Sequence, residues 1–324
     1  MGPISELFGR HVQKTRKNAT VSLLFLFCIF ADLNQKLMRK LLLTLGIVCT
    51  ACTLFAQSIL WRVSGRDIPS PSYLYGTIHI QDSRVFAFDS TVWHCFNSCE
   101  ALAVEVLLDQ LNYSAVREKM MMPKGQSVVK MLSKEDYAIL DSLCRAKFGA
   151  GAIFLGNMKP LFLLSALQQA DLPQDEPLPL DLFFLQQARK RGMQCYGLEE
   201  YMDQIKATDA ISIDDQLKML RQMLHDTADV AASFDSLTLT YLSFDLEKIA
   251  TMLEDTLLPD NFSRRLVDKR NKTMYKGFRK IAKKQRVFCA VGAAHLPGEN
   301  GLIELLRKKG CTVEPVIFEW NATH

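Results

Sequence analysis

The chain has 324 residues, 48% of them hydrophobic and 23% charged, which is enough apolar material for a full core and excludes a mainly disordered polypeptide. Its formal charge of +4 comes from residues 1–57, where seven Lys/Arg face two Asp/Glu, so the remainder holds 32 against 33 and is near neutral. That balance excludes the basic footprint of a nucleic-acid-binding domain, and no nucleic-acid partner is expected.

The basic excess sits in a leader. From Met38, MRKLLLTLGIVCTACTLFAQS has a charged start, an apolar stretch over 41–55 and small Ala56 near the end, which is the layout of a secretory signal peptide over 38–57. Export to the periplasm or cell envelope is the expectation. Residues 1–37 add an apolar run at 21–31, shorter than the about 20 residues that a membrane helix needs. They read as an upstream extension ahead of a start at Met38, with a two-part membrane anchor as the rival. Membrane contact is expected only through this leader, if it stays uncleaved. Cys49 and Cys52 lack the flanking pattern of a lipidation site.

Residues 58–324 read as one domain with a helical middle over 111–260. It opens with a strand at 59–63, a Pro/Ser turn at 69–72 and the strand-like YLYGTIHI of 73–80, which closes on Gly76-x-x-His79. Glycine there lets the backbone turn, or lets another group approach the imidazole closely. A helix over 90–97 leads to an apolar strand at 102–107, interrupted by Glu105. A carboxylate in a buried strand costs several kcal/mol unless something pairs with it or coordinates it. Glu105 therefore has a partner, or else it lies exposed on an edge strand.

The middle is periodic and mostly helical. Ser133 with Asp136 opens one helix, residues 158–170 form another, and a Pro-rich loop over 173–179 leads through Leu180-Asp181 into a third. A short strand at 193–196 precedes Gly197-Leu198-Glu199-Glu200, and periodic runs over 212–239 and 245–257 follow. His225 falls on a polar face, and the Lys/Arg-rich run over 264–286 reads as the solvated face of a helix. Residues 287–291 are then a buried strand closing on Gly292-Ala-Ala-His295. A turn, an amphipathic segment at 302–309, Gly310 as helix stop and a strand at 311–318 complete a strand-helix-strand crossover. His295 thus stands at the carboxyl end of a strand, the edge where ligands bind in open α/β sheets. Two Gly-x-x-His motifs in matching contexts point to one site.

Six cysteines follow the leader: Cys95, Cys99, Cys144, Cys195, Cys289 and Cys311. Export permits disulfides, but Cys289 and Cys311 fall in core strands where a free thiol is usual. Cys95 and Cys99, beside His94, are expected to pack rather than to hold a metal.

LYGTIH, LAVEV, GLEE with Gln204 following, KRN at 269–271 and AVGAAHLPGENGLIELLRKKGCTVEPV together resemble the TraB/GumN family, which includes the Tiki proteins. The resemblance runs over about residues 58–318 and is most specific in its last motif. It implies an α/β fold with a central, mainly parallel or mixed sheet from two related halves and a large helical insertion between them. It also implies a metal-dependent hydrolase, since Tiki members are regarded as metalloproteases that use manganese or cobalt. His79 and His295 would then be the motif histidines and Glu105 their acidic companion, acting on a peptide or protein substrate.

The residue chemistry is compatible with that implication. Two imidazoles and a carboxylate at strand ends suit a divalent ion, zinc included, which would acidify bound water and polarise a carbonyl. Glu199 or Glu200 then serves as general base or as support for the ligands. Arg270 and Asn271 either orient a substrate carbonyl or carboxylate, or make a salt bridge and pack a helix. Two other classes stay open: a metal-free hydrolase with His79 or His295 as general base, and a non-catalytic envelope binding or regulatory protein.

Overall fold

The computed structural model describes residues 57–226, 230–254 and 262–321, so the extension at 1–37 and the signal peptide at 38–57 lie, but for Gln57, outside the described residues. Six strands form one sheet: β1 (Leu60–Gly65), β2 (Ile68–Thr77), β3 (Ala101–Val104), β4 (Gln194–Gly197), β5 (Val287–Gly292) and β6 (Cys311–Pro315), in the order β4-β3-β5-β2-β1-β6. The neighbours β4, β3, β5 and β2 run parallel, and β1 is antiparallel to both β2 and β6. The sheet is therefore mixed and mainly parallel, as expected. Its central strands VFCAVG and ALAV are continuous apolar runs because helices cover both of their faces.

The first hairpin differs from expectation. Its turn lies at residues 66–67, and Pro69 and Pro71 belong to β2. They are tolerated because β5 pairs with β2 only from Tyr73 onward, so each proline has an open side where no N–H is called for. The strand containing LAVEV is also shorter, ending at Val104 with Glu105 just beyond it.

Helices surround the sheet. α1 (Ser90–Asn97) is capped by Asp89, whose side chain accepts from Thr91 N at 2.7 Å. α2 (Tyr113–Met120) follows, then α3 (Lys134–Phe148), opened by Ser133 accepting from Asp136 N at 3.0 Å and closed by left-handed Gly149. After α4 (Ala152–Leu155), α5 (Pro160–Gln169) starts two residues later than its periodicity suggests, at a proline suited to the first turn. α6 (Leu180–Lys190), α7 (Tyr201–Thr208), α8 (Ile213–His225), α9 (Val230–Leu242) and α10 (Leu246–Glu254) complete the middle, so the periodic run over 212–239 is two helices. α11 (Phe262–Ala282) leads into the last crossover, and α12 (Leu302–Arg307) is its helix, between β5 and β6.

Two apolar clusters result. The sheet cluster includes an aromatic group in which Phe184 of α6 sits 5.1 Å from Tyr75 and 5.2 Å from Phe288, centroid to centroid. A second cluster joins Leu140, Leu163 and Leu220 of α3, α5 and α8. His225 lies at its rim, half exposed and 2.7 Å from Asp136. The six described cysteines are free. Among the described residues, no helix is long and apolar enough to cross a membrane.

Candidate functional site

The parallel strands β4, β3, β5 and β2 lie side by side, so their carboxyl ends form one edge. Glu199 follows β4, Glu105 follows β3, His295 follows β5 and His79 follows β2. Four residues separated by up to 216 positions are thus gathered by topology alone. Glu105 is no edge-strand residue, because β3 is flanked by β4 and β5 and the side chain is only 12% exposed.

The two motif glycines act by close approach. A Cβ on Gly76 would meet the Cα and Cβ of Ala293 and the Cδ1 of Leu296 at 3.0 Å, so the first motif packs directly against the second. A Cβ on Gly292 would lie 3.1 Å from Glu105 Oε1 and 3.6 Å from His295 Cδ2. The missing methyl lets the carboxylate approach closely, and Gly292 N donates to Glu105 Oε1 at 2.7 Å. Gly292→Ala is accordingly expected to displace the Glu105 carboxylate and to cost about 1–3 kcal/mol, measurable by urea denaturation.

Glu105 is paired on its other oxygen as well. Arg270, from α11, donates through Nη2 to Glu105 Oε2 at 2.5 Å, and Gln204 Nε2 reaches the same oxygen at 3.3 Å. Burial alone would raise the carboxyl pKa. The adjacent His295 ring, the charges of Arg270 and His79 and the Gly292 N–H outweigh it and hold Glu105 down at about 2. Arg270 also grips Glu199, with Nε at 3.0 and 3.1 Å from its two oxygens and Nη2 at 2.5 Å from Oε1. Gln204 adds a bond to Glu199 Oε1 at 2.7 Å. Glu199 is thereby a buried anchor for the guanidinium, while Glu200 is exposed at the start of α7.

His295 is buried at 5% exposure, and Asn271, next to Arg270 on α11, holds its ring. Asn271 Nδ2 donates to the Asn300 carbonyl at 2.9 Å, which orients its Oδ1 to accept from His295 Nδ1 at 2.7 Å. The ring proton therefore sits on Nδ1, and Nε2 presents a lone pair 3.6 Å from Glu105 Oε1. Burial pushes the His295 pKa below its ordinary value and keeps the ring neutral, although the Glu105 charge pulls the other way. His79 is different. Its side chain is 60% exposed and its Nδ1 stands 2.9 Å from Asp181 Oδ1. The walls around the ring disfavour its charge, but Asp181 and then Glu105 outweigh them and raise its pKa.

In kind, this donor set suits a divalent first-row ion: two imidazoles, one of which has its Nδ1 engaged by Asn271, and an ionised carboxylate. Among the described residues, no three His, Cys, Asp or Glu side chains are already gathered as a metal-binding cluster. His295 and Glu105 are adjacent, whereas His79 is turned toward Asp181.

Sequence reading singled out His79, Glu105, Glu199, Arg270 and His295; the last four are linked in one chain of contacts, and His79 stands at the neighbouring strand end turned toward Asp181. It assigned nothing to Gln204 or Asp181. Their signals were weak: a glutamine five residues after Glu199, and an acid in the first turn of a helix, which the helix dipole alone explains.

The chain matches the TraB/PrgY/gumN family over residues 59–315. It is similar to "Metalloprotease TIKI1" of Danio rerio, 26% identical over 315 residues that cover 80% of this chain and 63% of that protein. "Metalloprotease TIKI2" of Danio rerio is 24% identical over 327 residues, covering 82% and 63%. "Metalloprotease TIKI1" of Homo sapiens is 24% identical over 314 residues, covering 80% and 62%. The match spans less than two thirds of the length of these relatives. No solved structure matches the chain. Because the family match runs from the first strand of the sheet through the last, the chain belongs to the TraB/PrgY/gumN family.

Proposed function

We propose that this protein is a metal-dependent hydrolase of peptide or amide bonds, with His79, His295 and Glu105 as the residues that hold a divalent ion. The observation that carries the reading is the pairing of His295 Nε2 and Glu105 Oε1 at 3.6 Å, next to the strand end that bears His79. The relatives' printed name, metalloprotease, supports the reaction class. Manganese or cobalt follows from the family resemblance, and the nitrogen and oxygen donors admit zinc as well. A bound ion there would supply an acidified water and polarise the scissile carbonyl.

The chain's own residues have distinct tasks. Asn271 keeps the His295 proton on Nδ1, so Nε2 remains a donor atom. Gly292 N–H and Arg270 keep Glu105 ionised. Glu199 and Gln204 hold Arg270 and Glu105 in register, which gives Glu199 a supporting role rather than that of general base. The substrate is a peptide or protein of an exported compartment, periplasm or cell envelope, a location supported by the signal-peptide layout of 38–57.

An acid limb follows from the same groups. His295 titrates below its ordinary 6.5 and Glu105 near 2 rather than 4.5, so the unfolded chain binds more protons than the folded one as pH falls. Stability should decline from about pH 6.5 downward, then further between about 4.5 and 2. Activity should fall with the His295 limb. Melting temperature and kcat/KM measured from pH 8 to 4 check both. The charge on His79 beside Asp181 works in the other direction, its contribution fading at alkaline pH as the ring loses its proton, but water around the exposed ring makes it worth little to stability.

The test of function is hydrolysis of a mixed fluorogenic peptide set with and without a chelator. Turnover abolished by chelation and restored by manganese, cobalt or zinc is expected. Turnover indifferent to chelation would favour a histidine general base without metal, and a folded protein with no turnover under any metal would favour a binding role.

A further inference from the structure

We propose that Asp181 is a positioning residue for His79, fixing the proton on Nδ1 and leaving Nε2 as the donor that the proposed site uses. The inference rests on the metal-site reading for its purpose, but on contacts of its own for its geometry. Asp181 Oδ1 lies 2.9 Å from His79 Nδ1, and the Asp181 side chain is only 15% exposed. A carboxylate that far from water needs a partner. Oδ1 makes no well-formed hydrogen bond among the described residues, so its 2.9 Å approach to His79 Nδ1 is a close charge contact rather than an aligned bond, and Pro179 at the start of α6 supplies no side-chain cap.

A second observation shows that the contact is built. The segment after His79 is fastened to the Pro-rich loop that leads into α6. Gln81 and Gln174 form an isolated parallel bridge, and Glu176 N donates to the Gln81 carbonyl at 2.9 Å. Gln81 Nε2 donates in turn to the Glu176 carbonyl, and Ser83 N donates to Asp175 Oδ2 at 3.2 Å. These bonds hold the His79 segment against the start of α6, so the carboxylate and the ring meet through two backbones tied to each other. The histidines then have unlike partners for one purpose. A buried amide, Asn271, serves buried His295, and a carboxylate serves His79 at the open side. A carboxylate or carbonyl on the second nitrogen is the usual way in which a ligating imidazole is oriented.

The experiment compares wild type, Asp181→Ala and Asp181→Asn in the full-length protein. Nitrogen-15 NMR of His79, recorded metal-free and above its titration midpoint, reads the tautomer directly. The expected result is Nδ1–H in wild type and a shift toward Nε2–H, the form favoured by free imidazole, in Asp181→Ala. Asp181→Asn, whose amide oxygen still accepts, should retain most of the wild-type signal. Calorimetric titration with manganese, cobalt and zinc should show binding about 10–100-fold weaker in Asp181→Ala, with unchanged circular dichroism. An identical His79 tautomer in wild type and Asp181→Ala would overturn the proposal, as would equal metal affinity in the two. A wild type that binds none of the three metals contradicts the metal-site reading, and the tautomer comparison then decides Asp181 by itself.

Discussion

Arg270→Ala is expected to destabilise the folded chain by about 3 kcal/mol at neutral pH, a larger stability loss than any other single change at this edge. The guanidinium stands between Glu105 and Glu199, whose side chains are 12% and 2% exposed. Without it, two carboxylates joined through Gln204 share a buried space. Removing one partner of a buried ion pair costs about 3–5 kcal/mol because a desolvated charge is left over. The lower end applies, since Arg270 itself is 23% exposed. One of the two carboxyls would then take up a proton in the folded state, so its pKa rises above the unfolded value and the deficit should shrink as pH falls from 7 toward 5. Urea denaturation at the two pH values measures both effects. A loss below about 1 kcal/mol would mean that the three charges are not clamped as described.

Glu105→Gln should produce the largest functional loss. The substitution keeps the shape and still lets its one oxygen accept from Gly292 N, but it then places an amide donor where Arg270 and Gln204 both donate. It also removes the anion nearest to His295 Nε2. Divalent-ion affinity should fall about a hundredfold or more, and kcat/KM about a thousandfold, equivalent to about 4 kcal/mol. Glu199→Gln is the informative contrast: Glu199 acts only through Arg270 and Gln204, so its effect on metal affinity should stay within about tenfold. Equal effects from the two variants would place the carboxylates in equivalent roles.

The Gly-x-x-His runs were legible because strand periodicity, a glycine and a titratable ring coincide within a few residues. Glu105 was legible as a problem, an acid in an apolar strand, and its solution lies 165 residues away at Arg270. That distance is why the partner had to come from the fold. The same holds for Asn271, whose sequence neighbourhood reads as one basic helix face, while its amide is turned inward to the His295 ring. Pro69 and Pro71 were misread as a turn because local propensity does not see that β5 leaves that side of β2 unpaired. Asp181 was invisible for a related reason: an acid in a first helical turn already has a local explanation, and only the ties between residues 81–83 and 174–176 bring it to His79.

The most direct measurement is a calorimetric titration of wild type, His295→Ala and His79→Ala with manganese, cobalt and zinc, with circular dichroism recorded on each protein. The account predicts binding near one equivalent in wild type and its loss in both variants while their spectra stay native. Wild type that folds normally and binds none of the three ions, or either variant binding as tightly as wild type, would contradict a shared metal centre at this sheet edge.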